Sequence, residues 1–286
     1  MLVREHIARH HADLTPQLRL AADFVAENPT EIATRSLRAV ASRTEMPPVT
    51  FTRLARALGF AGYAELKELC RQNLQQQTKP FAERAKQLQQ QRVETDKPPL
   101  LYQHAAAVLN NVETLTQTTN IAKLRTVADV LCKAKRVYLL GALSSAAITR
   151  FWSYIARLAF DNWYVVNEGG GRLASTLTSL DKEDVVIIIS MAPHARWSVL
   201  AAQESAQTGA QQIVLTNTLS CPAIRHANYH FEVPDSSPQF FSSYASMLVF
   251  IETLMGMVVS RAGDTAPLHI DAIEKNNYRL GKYWQA

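Results

Sequence analysis

The chain has 286 residues, 47% of them hydrophobic and 19% charged, which is material for one large or two moderate globular domains and excludes a disordered or fibrous chain. Lys and Arg outnumber Asp and Glu by 30 to 25, a net charge of +5 that permits a nucleic-acid partner without demanding one. Cys70, Cys132 and Cys221 are widely spaced with no CxxC, so they read as small buried apolar groups in a reducing cytoplasm, not as disulfides or zinc ligands.

The amino end, MLVREHIARHHADL, is charged throughout and has no apolar segment of a signal peptide. A first helix is expected over Leu2 to His11. Thr15 and Pro16, an N-cap with proline at the first helical position, start a second helix that runs to Glu27 and is stopped by Asn28-Pro29. Ser36 caps a short helix, Leu37 to Thr44. A turn through Glu45, Met46 and Pro47 leads into a helix from Pro48 to Leu58, closed by Gly59. A last helix covers Ala64 to Gln75. Nothing in this region reads as a strand.

The Gln-rich, charged stretch QQQTKPFAERAKQLQQQRVETDKPP reads as a partly helical linker. The expected organisation is therefore a helical domain over residues 1–77, a linker over 78–99 and a second domain over 100–286. The second domain opens with helices over Leu100 to Thr118 and Ile121 to Ala134. Strands then follow at Val137 to Leu140, Trp163 to Val166, Asp184 to Ser190, QQIVLT and YHFEVP, separated by helical patterns, with a long apolar helix over Gln239 to Arg261. Alternation at βαβ spacing predicts a doubly wound α/β sandwich with a mainly parallel five-stranded sheet. No apolar run is long enough to span a bilayer, so no membrane partner is expected.

Leu37 to Leu58 has the proportions of a helix-turn-helix. Phe51, Leu54, Ala55 and Leu58 make one apolar stripe at i, i+3, i+4 and i+7, which turns Val49, Arg53 and Arg56 outward and leaves Thr50 and Thr52 on the flanks. Arg35, Arg38, Arg43, Arg53 and Arg56 face only Glu45 between Ile32 and Phe60, so most of the net positive charge gathers here. Such a surface suits the major groove: guanidinium groups donate to phosphates or guanine edges, and Val49 suits a thymine methyl. The candidate DNA-contacting residues are Ser36, Arg38, Pro48, Val49, Thr50, Thr52, Arg53 and Arg56. The stretch SLRAVASRTEMPPVTFTRLARALGFAGYAELK resembles the N-terminal domain of the RpiR family of bacterial transcription regulators, through Arg53, Leu58-Gly59-Phe60, Gly62-Tyr63 and Leu66-Lys67. Most members carry Val-Ser at the start of the recognition helix; here the pair is Met46-Pro47, followed by Pro48, so base preference does not carry over.

The first strand of the second domain ends in Gly141-Ala-Leu143-Ser144-Ser145 and runs straight into a helix, an arrangement that favours anions through free backbone N–H groups and the helix dipole. The third ends in Ser190-Met-Ala192-Pro193-His194-Ala195-Arg196, where Arg196 suits a bidentate pair with phosphate and His194 a neutral-pH donor or acceptor. Roughly Leu100 to Ser260 resembles the sugar isomerase (SIS) domain that follows the DNA-binding domain in that family. SIS loops commonly read GxGxS and SxSGxT; here Ser145 and Ser190 match, while Leu143 stands where a glycine is usual. The resemblance, through SSPQFFSSYASMLVFIETLMG, adds Ser242, Ser243 and Glu252 as ligand-facing residues, with a dimer-interface helix as the alternative. The candidate effector contacts are thus Gly141, Ser144, Ser145, Ser190, His194, Arg196, Ser242 and Glu252.

No catalytic residue, metal ligand set or cofactor is expected. His6 and His10 share a helix face, but no third ligand stands at metal spacing. Trp152, Trp163 and Trp197 read as core or pocket wall. The combined expectation is a cytoplasmic, homodimeric or homotetrameric regulator that binds palindromic operator DNA and a small anionic sugar-like effector. The rival reading is a SIS-type aldose–ketose isomerase with Glu168, Glu252 or His194 as its base. A sheet domain that only oligomerises is a third.

Overall fold

The computed structural model describes residues 3–78, 80–91, 98–167 and 172–284. By packing, these form two compact units: the described residues up to Thr118 together with Ser236–Ser243, and Thr119–Asp235 together with the described residues from Tyr244 onward.

The first unit is helical. Its elements are α1 (Val3–His10), α2 (Pro16–Glu27), α3 (Pro29–Thr34), α4 (Leu37–Thr44), α5 (Pro48–Ala57), α6 (Tyr63–Thr78), α7 (Phe81–Gln91) and α8 (Leu100–Thr118). The helix α3 was not expected from the sequence. Asn28-Pro29 does end α2, but a proline is also the natural first residue of a new helix, and Ile32 then enters the core. Thr15 stands at the start of α2 without a capping side-chain bond. The core is built from Val25, Ile32, Val40, Phe51, Leu54, Leu58 and Leu66. Phe51 sits at its centre, edge-on to Phe24 and Tyr63 at 6.3 and 6.4 Å. His6 hydrogen-bonds the Leu58 carbonyl through Nε2, a structural use of that ring. Cys70 is buried, and burial pushes its thiol up to about 12, as suits a small apolar filler.

The second unit comprises α9 (Ile121–Lys133), β1 (Val137–Gly141), α10 (Ser145–Ala159), β2 (Trp163–Val166), α11 (Arg172–Ser179), β3 (Val185–Ile189), α12 (Arg196–Ala206), β4 (Gln211–Thr216), β5 (Tyr229–Glu232), α13 (Ala245–Val259) and α14 (Thr265–Arg279). The five strands lie in the order β2-β1-β3-β4-β5, all parallel. Both faces are covered, which is why the strands read as unbroken apolar runs. Tyr138, Leu140, Val186, Ile188 and Val214 pack with Ala201 and Ala202 of α12. Their alternates Val137, Leu139, Ile187, Ile213 and Leu215 are equally buried. Trp152 and Trp163 are core residues with ring centroids 6.1 Å apart.

The fold departs from the sequence pattern in three places. The expected helix over Gln239 to Arg261 is helical only over α13. The segment before it, Ser236–Ser243, is claimed by the helical unit instead. Buried Asn111 of α8 donates to the Ser236 carbonyl (2.8 Å) and accepts from its N–H (3.1 Å); Arg84 of α7 donates to the Gln239 carbonyl; Phe81 packs on Phe241 at 5.4 Å. These specific bonds outcompete helix extension, a competition no periodicity reports. Second, α8 packs with the helical unit, so this division does not fall within the 78–99 segment. Third, α11 and α14 were not anticipated.

At the amino edge of the sheet, Asp184 is fully buried and receives Arg136 in a two-bond fork, Nε to Oδ1 at 2.8 Å and Nη2 to Oδ2 at 2.6 Å. The Asp181 N–H adds a third bond to the same carboxylate. Arg136 thus joins the start of β1 to the start of β3. Arg136→Met leaves that carboxylate buried with one donor and is expected to lower stability by about 3 kcal/mol. Urea unfolding measures it, and a loss below about 1 kcal/mol would show the pair to be dispensable.

Candidate functional site

In the helical unit, Ser36 accepts the Ala39 N–H (3.2 Å) and caps α4, as expected. The α4–α5 turn takes Glu45 into the left-handed region at φ 55°, where the Glu45 N–H closes on the Ala41 carbonyl. Pro47 and Pro48 follow, and Pro47 offers no side-chain cap. The prolines supply the right backbone angles for a helix start without a serine.

The stripe of Phe51, Leu54, Ala55 and Leu58 is buried, and the opposite face of α5 is open: Val49 is 52% exposed, with Arg53 and Arg56 beside it. Thr52 is half-buried and bonds back toward the Pro48 carbonyl at 3.5 Å. Thr50 is the exception. It is 4% exposed, so it faces the core and is withdrawn from the DNA-facing set. The charge count also changes. Glu31, just upstream of the counted stretch, pairs with Arg43 at 3.0 Å and approaches Arg35 at 3.7 Å. Arg38, Arg53 and Arg56 remain, exposed and with no acidic partner among the described residues. Arg38 and Pro48 share a shallow recess of about 550 Å³ at the turn.

In the α/β unit the strand order reverses direction between β1 and β3. Open parallel sheets bind ligands at that point, outside the carboxyl ends of the strands. The register pairs Gly141 with Ile189, so the loops carrying Ser144-Ser145 and Ser190-His194-Arg196 leave the sheet side by side. The amino ends of α10 and α12 open from the same two loops. Gly141 earns its place by packing: a Cβ there would meet the Ser145 carbonyl oxygen at 2.8 Å and Thr149 Cγ2 at 2.9 Å. Leu143, 70% exposed, adopts φ 53°, the left-handed conformation a glycine would take more cheaply. Ser145 is buried and Ser144 exposed, and both hydroxyls meet the Tyr244 phenol, at 3.0 and 2.9 Å.

The second loop is equally fixed. Ser190 Oγ lies 3.2 Å from His194 Nδ1. Burial pushes the Cys221 thiol up, but hydrogen bonds with His194 and Thr216 outweigh it and leave the thiol below its ordinary value. The Ala192 N–H donates to Asn217 Oδ1 (2.8 Å), and Asn217 Nδ2 donates to Asp235 Oδ2 (2.8 Å), tying the loop to the ends of β4 and β5. Arg196 is exposed at the first position of α12 with no ion pair among the described residues.

Gly141, Ser144, Ser145, Ser190, His194 and Arg196 are therefore brought to one edge. Ser242 is not part of that cluster; it lies in the segment that packs with the helical unit. Glu252 is exposed, well inside α13, and bonds neither loop among the described residues. Glu168 lies outside the described residues. Tyr244 and Asn217 escaped the sequence reading. Asn217 directly follows an apolar strand, the junction logic that found Ser190. Tyr244 carried no signal beyond its serine neighbours.

Comparison with known proteins then separates the two units by family. Residues 1–77 match the model of the helix-turn-helix domain of the rpiR family, and residues 130–257 match the SIS domain. The chain thus carries an rpiR-family helix-turn-helix domain followed by a SIS domain. An uncharacterised HTH-type transcriptional regulator of Haemophilus influenzae is 25% identical over 234 residues, covering 79% of this chain and 78% of the relative. The sugar isomerase domain of an RpiR transcription factor from Sphaerobacter thermophilus has the same fold, with a TM-score of 0.59 and 21% identity, covering 62% of this chain and 99% of that one. The Vibrio vulnificus NanR protein complexed with ManNAc-6P has a TM-score of 0.54 at 14% identity and covers 97% of this chain and 98% of its own.

Within the RpiR frame, the leucine in the first SIS loop is a strained replacement. The strained backbone persists because Gly141 and the start of α10 hold both sides of it. Leu143→Gly is expected to raise stability by about 1 kcal/mol by relieving the left-handed leucine, whereas Gly141→Ala should lower it by about 1–3 kcal/mol through overpacking. Thermal unfolding of the two variants checks both signs.

Proposed function

We propose that this chain is a cytoplasmic transcription regulator that places α5 in the major groove of operator DNA and binds a small anionic, sugar-like effector at the β1/β3 edge. The observation that carries the DNA half is the open face of Arg38, Val49, Arg53 and Arg56, with no acidic partner among the described residues, standing on a buried stripe. Cations left unpaired on an exposed helix face supply phosphate attraction and base-edge donors together. Arg196 and the serine pair at two helix amino ends support the effector half, because that chemistry favours phosphate or carboxylate. The fold neighbour NanR in its complex with ManNAc-6P makes hexosamine phosphates the first class to test.

As functional regions, residues 1–77 bind DNA, residues 78–99 link, and residues 100–286 bind effector and assemble the oligomer. A symmetric dimer or tetramer presents paired recognition helices to a palindromic site. The effector alters DNA affinity only as far as its affinities for the two arrangements differ. The isomerase reading has less support. It needs a base poised over the substrate carbon, and His194 Nδ1 already lies 3.2 Å from Ser190 Oγ.

Arg53→Ala is expected to weaken specific binding by about 1–3 kcal/mol and to relax preference at one base position, whereas Arg38→Ala weakens all sequences alike and lowers the salt slope by about one. Footprinting and salt titrations on duplexes from the region upstream of its gene separate the two roles. Equal affinity of Arg53→Ala and the parent for every duplex would remove α5 from the groove. Arg196→Ala should abolish the thermal shift given by a hexosamine 6-phosphate while sparing DNA binding. A retained shift would displace the site.

A further inference from the structure

We propose that Tyr244 is the residue through which the effector site signals: its phenol is the built-in occupant of the Ser144–Ser145 pair, and a ligand oxyanion replaces it. This rests on the effector site proposed above.

One phenol within 3.0 Å of Ser145 Oγ and 2.9 Å of Ser144 Oγ engages both hydroxyls that a bound ligand would use. The phenol gives each serine hydroxyl a partner, since a hydroxyl can donate once and accept twice. An oxyanion displaces this arrangement with a gain, because its hydrogen bonds are roughly twice as strong as neutral ones. It also meets the positive end of α10, which does little for a neutral phenol. A neutral sugar hydroxyl gains neither. The exchange therefore selects phosphorylated or carboxylated ligands over their neutral parents.

The displacement has somewhere to go. Tyr244 stands at the start of α13, one peptide bond after Ser236–Ser243, the segment held to the helical unit by Asn111, Arg84 and Phe81. Both ends of that segment are moored to the effector loops. At one end, Tyr244 holds the first loop through its serines. At the other, Asp235 accepts from Asn217, which accepts the Ala192 N–H of the second loop. Just outside the moorings the Ser246 hydroxyl donates to the Pro234 carbonyl and ties the two ends together. A ligand that frees the phenol thus loosens one end of a strap whose middle is held by α7 and α8 of the helical unit. The coupling runs along the chain itself.

Tyr244→Phe in the full-length chain removes the phenol oxygen and keeps the ring. By calorimetry it should bind N-acetylmannosamine 6-phosphate, glucosamine 6-phosphate or arabinose 5-phosphate about tenfold more tightly than the parent does, and still not bind neutral N-acetylmannosamine. Without ligand, its strap amides at 236–243 should exchange with solvent faster, and its affinity for DNA should move at least about fivefold toward that of the liganded parent. The double variant Ser144→Ala, Ser145→Ala should show the same faster exchange with no sugar-phosphate binding, which guards against a folding defect peculiar to position 244. Parent-like ligand affinity, exchange and DNA binding in Tyr244→Phe overturn the proposal and leave the effector site standing. Binding by neither the parent nor the variant to any of the three phosphates removes the effector site, and this inference with it.

Discussion

A parallel sheet buried on both faces imposes the constraint from which the functional geometry follows. Every strand must return through a crossover, so every strand ends at the same edge and every following helix begins there. With the order β2-β1-β3-β4-β5, the crossovers diverge between β1 and β3 and leave the one place where two loops part. The in-register pairing of Gly141 with Ile189 then puts Ser144, Ser145, Ser190 and His194 at a common level. The Arg136–Asp184 fork fastens the same two strands at their opposite ends. The candidate site thus follows from the charge pair that fastens β1 to β3 at one end and from the close approach of α10 to the other end of β1 that only a glycine at 141 allows.

The helical unit obeys a simpler version of the same rule. Burying Phe51, Leu54, Ala55 and Leu58 fixes the rotation of α5, and rotation alone decides which side chains reach solvent. Thr50 shows how sharply. One position from Val49, it turns into the core, because successive residues lie about 100° apart around the helix. The left-handed Glu45 and the two prolines after it set the angle at which that face is presented, in place of a serine cap.

Much of this was legible in the residues, for identifiable reasons. The strands of the sheet announced themselves as apolar runs, and the glycine and serine positions at their ends follow from crossover geometry. The recognition helix was legible because its stripe has the period of a helix. What escaped was decided by polar partners. Glu31 removes Arg35 and Arg43 from the free charge, though it lies outside the window in which the charges cluster. Asn111 and Arg84 draw Ser236–Ser243 out of what looks like one long apolar helix. Tyr244 meets serines about a hundred residues away. The last two are long-range polar bonds, about which hydrophobic periodicity carries no information, whereas Glu31 stands four residues from Arg35 and just outside the window in which the charges were counted.

The occupied serine pair also bears on whether the α/β unit senses or catalyses. A site filled by its own side chain binds ligand more weakly by the fraction of time it is open. For an isomerase that reduction would recur in each catalytic cycle and would stabilise no transition state. For a sensor it is useful, since two states of comparable free energy are what a ligand needs in order to shift a population. Competition between a neutral phenol and an anion sets a threshold as well as a selectivity. The strained Leu143 beside it, exposed and left-handed, further limits how cheaply the loop can be held ready. A strained loop, a side chain that fills the serine pair beside it, and a segment running from that side chain to α7 and α8 are features that a ligand-controlled switch would use.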